Sequence, residues 1–212
     1  MKDILLVTNY WHFECEKASS RYLTLANMIV ESGNNLEVIT STFYHATKCQ
    51  RNYDYEFLNS FPYKITLIHE CGYSRNVSIK RILSHRIFAK NVLKYIKKRK
   101  KPDVIYCVVP SLDVAHLVTK YANKNQIKVI IDVQDLWPEA FKMVINIPVV
   151  SNLLFYPMQI KANMIYKAAD EIIAVSQTYV DRAIKVNKKC NQGHCIFLGL
   201  ELSKFDLYIS ER

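Results

Sequence analysis

The sequence predicts an α/β fold: a Rossmann-like parallel sheet with helices on both faces, in a single domain. Three observations carry this. Short apolar runs rich in β-branched residues recur along the chain, as in strands buried on both faces. Amphipathic helical segments alternate with them, which builds βαβ units with right-handed crossovers. Finally, 212 residues, half hydrophobic and 23% charged, suit one large domain that folds without a metal or disulfide staple.

The elements follow in order. Ile4–Val7 is the opening strand, and the polar stretch Asn9–Ser19 is a loop. A helix runs from about Ser20, with Tyr22, Leu25, Ala26, Ile29 and Val30 on one face and Gly33 as its stop. Leu36–Thr40 and Tyr63–Ile68 are strands. Val77–Lys101 is a long helix with Ile82, Ala89, Val92, Leu93 and Ile96 on its apolar side. Val104–Val109 is a strand introduced by Lys101-Pro102-Asp103, and Leu112–Asn123 a helix. Val129–Val133 is a strand, Asn152–Tyr166 a helix, Glu171–Val175 a strand, Gln177–Val186 a helix and His194–Leu198 a last short strand. Ligands of such sheets bind at the carboxyl ends of the strands. This singles out the loops after Thr8, Thr40, Val109, Val133 and Val175.

The net charge of +10 is local. Between Cys71 and Pro102 there is no acidic residue and there are eleven basic ones, while the remaining 18 basic residues face 19 acidic ones. Arg86, Lys90, Lys94, Lys97 and Lys101 form a stripe beside the apolar side of the long helix. The stripe suits an anionic membrane surface. The plainer alternative is a solvated lysine face on a packed helix. Nucleic acid is not expected as a partner: no helix-turn-helix, RRM or zinc-finger pattern accompanies the charge, and no aromatics are interleaved with it.

The six cysteines form no CxxC pair, and Cys190, His194 and Cys195 lack the spacing and fourth ligand of a zinc site. Free thiols, no metal and a reducing cytosol are expected. No secretory signal and no run of about 18 apolar residues is visible. A cytoplasmic protein peripheral to the inner face of the membrane fits these features.

The loops carry the candidate chemistry. The first lacks GxGxxG, and only four glycines occur in the chain, so no dinucleotide fingerprint is present. Ser19 or Ser20 can cap the helix that follows, and its N-terminus with Arg21 can hold an anion or sugar. The second loop, with Ser41-Thr42-Phe43-Tyr44-His45, Lys48 and Arg51, is long and aromatic and can fold over a ligand. The run Asp132-Val133-Gln134-Asp135-Leu136-Trp137-Pro138-Glu139 places carboxylates directly after a buried strand. There Asp135 and Glu139 can orient hydroxyls, act as acid or base, or simply cap the next segment.

Four stretches together resemble a known family. They are the opening strand-loop-helix through Ser20-Arg21, Leu23–Val30 and Gly33; Lys101-Pro102-Asp103-Val104-Ile105-Tyr106; Ile131 through Glu139; and Ala169-Asp170-Glu171-Ile172-Ile173-Ala174-Val175-Ser176. In this order they look like the N-terminal, acceptor-side half of a family 4 glycosyltransferase of the GT-B fold. The resemblance implies sugar transfer from a nucleotide-sugar to an acceptor such as a lipid-linked saccharide of surface polysaccharide synthesis, with no metal and no cofactor beyond the donor itself. It implies residues 1–200 as the N-terminal domain, residues 201–212 as a linker, and a donor-binding C-terminal domain or partner chain that these residues do not supply. Gln134, Asp135 and Glu139 then fall at the cleft as catalytic candidates. Ser19, Ser20 and Arg21 fall on the donor side, and His45, Lys48 and Arg51 on the acceptor. The basic stripe would meet the membrane that holds the acceptor. Two departures stand out. Gln134 lies where the family often has a histidine, and Ala18-Ser19-Ser20 stands where many members have Gly-Gly. The rival reading is a non-catalytic, membrane-associated scaffold of the same fold.

Overall fold

The parallel sheet is present, with helices on both faces. The computed structural model describes residues 1–16, 21–144 and 148–199. Its strands are β1 (Asp3–Val7), β2 (Asn35–Ser41), β3 (Phe43–Tyr44), β4 (Cys49–Gln50), β5 (Lys64–Ile68), β6 (Val104–Val109), β7 (Lys128–Val133), β8 (Glu171–Ala174) and β9 (His194–Cys195). The helices are α1 (Arg21–Glu31), α2 (Tyr55–Asn59), α3 (Ile79–Ile96), α4 (Leu112–Lys124), α5 (Glu139–Val144), α6 (Pro148–Ala168) and α7 (Gln177–Ile184).

Seven strands make one sheet in the order β5-β2-β1-β6-β7-β8-β9, and every neighbouring pair is parallel. Alternation along each strand sends side chains to two cores. Leu5, Val7, Ile105, Cys107 and Val109 pack with Phe88 and Val92 of α3, Val118 of α4, Ala162 of α6 and Ala183 of α7. Leu6, Val38, Tyr106 and Val108 pack on the other face with Tyr22 and Ala26 of α1 and with Trp11 and Phe13. Gly33 follows α1 at φ +77°, where a side chain would be strained, and its N–H bonds the Val30 carbonyl at 2.8 Å. This is the stop that the sequence signals.

The order of the sheet decides where a ligand binds. The chain steps outward from β1 to β2 and β5, then returns to lay β6 on the other side of β1. The carboxyl ends of β1 and β6 are thus the switch point, where adjoining loops diverge and leave a crevice.

Several expectations need correction. The long helix ends at Ile96 rather than Lys101, and Lys97 is its C-cap, so Lys101 of the basic stripe lies beyond the helix. Ile82 is half exposed, not on the packed face. The buried positions are Ser84, His85, Phe88, Ala89, Val92 and Ile96. The last strand is only His194–Cys195. The β3–β4 hairpin and helices α2 and α5 were not expected, and α2 is started by Asp54, which accepts the Phe57 N–H at 2.8 Å. All six cysteines are free thiols, and no group of metal-binding side chains occurs among the described residues. No helix among them is long and apolar enough to cross a membrane.

Candidate functional site

A cleft of about 220 Å³ opens at the switch point, lined by Tyr10, His12, Arg21, Tyr22, Val108, Pro110, Gln134 and Leu198. The first loop leaves β1 here, and α1 begins here with Arg21. The peptide bonds Val109–Pro110 and Trp137–Pro138, both cis, lie in the loops after β6 and β7. Arg21 and Gln134, two of the expected residues, come together on this cleft. Ser19 and Ser20 lie outside the described residues, as does the proposed linker 201–212.

Asp132 organises the floor. It is fully buried near the end of β7. Its carboxylate accepts the Tyr106 hydroxyl at 2.7 Å and the Gln134 amide at 2.6 Å, and it faces Arg21 Nη2 at 3.4 Å. Burial holds its pKa above the ordinary carboxylate value, and Arg21, Tyr106 and Gln134 offset only part of that rise. Arg21 also donates to the Ile196 carbonyl at 3.2 Å. Asp132 therefore fixes the cationic head of Arg21 and the amide of Gln134 at the crevice. A carboxylate inside an otherwise apolar strand is the signal that points to it, because a buried charge must be paired.

The other expected residues divide. Asp135 accepts the Trp137 indole N–H at 3.0 Å. Glu139, in the first turn of α5, accepts Arg182 Nε at 2.6 Å and joins α5 to α7. Neither lines the cleft, so the geometry gives both a positioning task rather than contact with a reacting atom. Arg51 needs a plain correction. Its Nε and Nη2 grip both oxygens of Glu16 at 2.7 and 2.9 Å, Nη1 reaches the Ser41 carbonyl at 2.8 Å and Nη2 the Trp11 carbonyl at 2.6 Å. Only 2% of its side chain is exposed. Arg51 commits four of its five N–H donors to tying the first loop to the second, and its burial keeps it from reaching an acceptor.

His45 and Lys48 lie at the same sheet edge, next to the cleft. Lys48 Nζ and the Tyr73 hydroxyl approach His45 Nδ1 at 3.1 and 2.5 Å. A protonated lysine can only donate, so Nδ1 is the unprotonated nitrogen. Burial, then Lys48 and Arg81, push the His45 pKa down to about 4. Tyr10 bridges cleft and cluster: its ring meets His45 edge-on at 5.3 Å and His85 at 6.4 Å. His85 stacks on Trp137 at 6.3 Å and 8°. Sequence reasoning missed Tyr10, His12, Tyr22, Tyr73, Arg81 and His85. Arg81 and His85, four apart at the start of α3, are the one pair whose spacing marks a shared face.

His85 gives a pH prediction. It is 4% exposed, and burial, then Arg81, depress its pKa to about 4. Its folded value lies below the ordinary 6.5, so the unfolded chain takes up the proton first. Its contribution is full above about pH 6.5 and is lost as pH falls towards 4. The expected loss from this residue is about 2–3 kcal/mol. Urea unfolding at pH 7 and pH 4.5 should show the drop in the native chain and a smaller drop in His85→Gln. Equal drops would remove His85 from the account.

No family model matches the sequence, and comparison with curated proteins gives no match. Solved structures do match. A sucrose-phosphate synthase segment from Thermosynechococcus elongatus aligns with a TM-score of 0.56 at 12% identity, covering 98% of this chain and 95% of that one. Anabaena Alr3699/HepE in complex with UDP-glucose gives 0.54 at 13%, covering 99% and 50%. Arabidopsis thaliana UGT89C1 complexed with UDP gives 0.53 at 10%, covering 100% and 56%. The chain spans about half the length of the last two. At these identities the likeness is one of fold, and it matches the sequence expectation: this is a single α/β domain with the architecture of one half of a GT-B glycosyltransferase.

Proposed function

We propose that the chain is the acceptor-binding half of a glycosyltransferase, working at a membrane surface with a donor-binding domain carried by another domain or chain. The observation that carries this is the switch-point cleft between β1 and β6, with Arg21 and Gln134 held at its mouth by a fully buried carboxylate. Its 220 Å³ is below the roughly 300–1,000 Å³ of self-sufficient ligand pockets, which favours a site completed from across the crevice. The cleft is lined by rings and hydrogen-bonding groups, as saccharide binding requires. UDP and UDP-glucose in the two neighbours above support a nucleotide-sugar as donor, and the acceptor on this reading is a lipid-linked saccharide of surface polysaccharide synthesis.

The membrane part of the reading rests on α3. Arg86, Lys90, Lys94 and Lys97 are exposed along it, with exposed Lys101 just beyond. Val77, Ile79, Ile82 and Leu83, around its first turns, are exposed large apolar residues. Rings of His85, Trp137, Phe141 and Phe155 run in contact from α3 to α6, where Leu153, Leu154 and Tyr156 are also exposed. Apolar side chains beside a basic stripe suit the boundary between headgroups and acyl chains.

Hydrogen exchange in nanodiscs containing a mixture of lipid-linked saccharides tests the acceptor site. Protection is expected in the loops after β1, β6 and β7, and Gln134→Ala should weaken it. Protection confined to α3, the same with and without the saccharide, would favour a scaffold that merely docks.

A further inference from the structure

Beside the cleft, the loop after β2 and the first turns of α3 converge two cations on one aromatic cluster. Arg81 lies over the Tyr73 ring at 5.5 Å and the Trp137 ring at 5.0 Å, donates Nη2 to the Tyr10 hydroxyl at 3.0 Å and Nη1 to the Asn76 carbonyl at 2.8 Å, and leaves a buried Nε without a partner. Lys48 Nζ lies 5.1 Å from the centre of the Tyr73 ring and donates to the His45 carbonyl at 2.6 Å. Among the described residues neither cation is paired with a carboxylate. Glu70, the acid on this side, is buried with its two oxygens taken by the Ser41 and Ser84 hydroxyls at 2.5 and 2.6 Å. Asp113, which acts on His85, is held by Lys161. His12 adds to the field on His45, and the two imidazoles themselves stay neutral.

Two uncompensated cations, one with a free guanidinium N–H, make a set of donors that lacks an acceptor-rich anion. A guanidinium fork and a point-charge ammonium together suit phosphate oxygens. We propose that Lys48 and Arg81, seated against Tyr10 and Tyr73, hold a phosphate or diphosphate group of the acceptor. Tyr10, shared with the cleft, places that group at the edge of the saccharide site. The assignment rests on the acceptor reading above.

Inorganic pyrophosphate, titrated into the full chain while the histidine resonances are followed by NMR, is the test. A bound dianion should raise the His45 pKa by about one to three units. Lys48→Gln and Arg81→Ala should each weaken binding about tenfold, with Arg81→Lys recovering part of the loss and Lys120→Ala leaving it unchanged. Absence of a His45 shift, or binding that neither variant affects, would overturn the assignment. Phosphatidylglycerol vesicles form a second arm. A His45 shift with vesicles and none with soluble pyrophosphate would make the site a headgroup contact and overturn the acceptor assignment. A phosphate-free saccharide that shifts the Tyr10 and Gln134 signals, while pyrophosphate shifts nothing, would overturn the phosphate site and leave the acceptor reading standing.

Discussion

Arg51→Ala is expected to lower the unfolding free energy by about 3–5 kcal/mol, the usual cost of stripping one partner from a buried ion pair. The pair earns this size because both members are out of water: 2% of the Arg51 side chain and 5% of the Glu16 side chain are exposed. Among the described residues, removing the guanidinium leaves the Glu16 carboxylate with only the Phe13 N–H and the Tyr53 hydroxyl as partners. It also frees the Trp11 and Ser41 carbonyls. Arg51→Lys should not restore stability, because an ammonium cannot span two carboxylate oxygens and two carbonyls together. Arg51→Ala and Glu16→Ala should be markedly less than additive. Denaturant unfolding reads all of these. Since the pair ties the first loop to the second, the variants should also loosen the loop that carries Tyr10 and His12. A loss under 1 kcal/mol would show that the loops hold their places without the pair.

The second large effect concerns the membrane. Reversing charge at Arg86, Lys90, Lys94, Lys97 and Lys101 removes five exposed cations, each contributing about 1 kcal/mol at an anionic surface. Partition onto phosphatidylglycerol vesicles should fall by at least about a thousandfold at low salt. Two other basic residues of the segment are committed elsewhere. Arg99 is committed to Asp3 and Glu37 at 3.0 and 2.8 Å, and Arg81 is turned into the aromatic cluster. Replacing Arg99 should therefore cost stability rather than vesicle binding. Ile79→Asp together with Leu83→Asp should weaken binding at high salt too, where the charge term is screened. If the five-residue variant sediments with vesicles as the native chain does, the α3 surface is not the docking face.

The fold was legible in the sequence because its signals are local. Continuous apolar strands, amphipathic helices and a glycine stop survive without knowledge of any distant partner, and strand, helix and strand in alternation leave few topologies open. What the sequence hid was either too short or too distant. The β3 and β4 strands have two residues each and α2 has five, too few to show a period. Ile82 shares helical spacing with the packed residues, yet the first turns of α3 bury Ser84 and His85 because they pack on the loops carrying Glu70, Gly72, Tyr10, Tyr73 and Trp137. The candidate site was half legible. Arg21 and Gln134 stand directly after features that sequence can place. Arg51 read as a free loop cation because its partner is 35 residues away, and Arg81 read as one charge among eleven because the rings around it come from three separate segments.

Sugar transfer itself is the most direct measurement. The chain, combined with a donor-binding domain that forms a complex with it, is given a panel of labelled nucleotide-sugars and membranes bearing lipid-linked saccharides. Label is expected in the lipid fraction with at least one donor, with a fall of roughly a hundredfold when Gln134 and Arg21 are replaced by alanine, the scale of losing charge-assisted contacts at a reacting centre. A stable complex that transfers no sugar from any donor of the panel would contradict it.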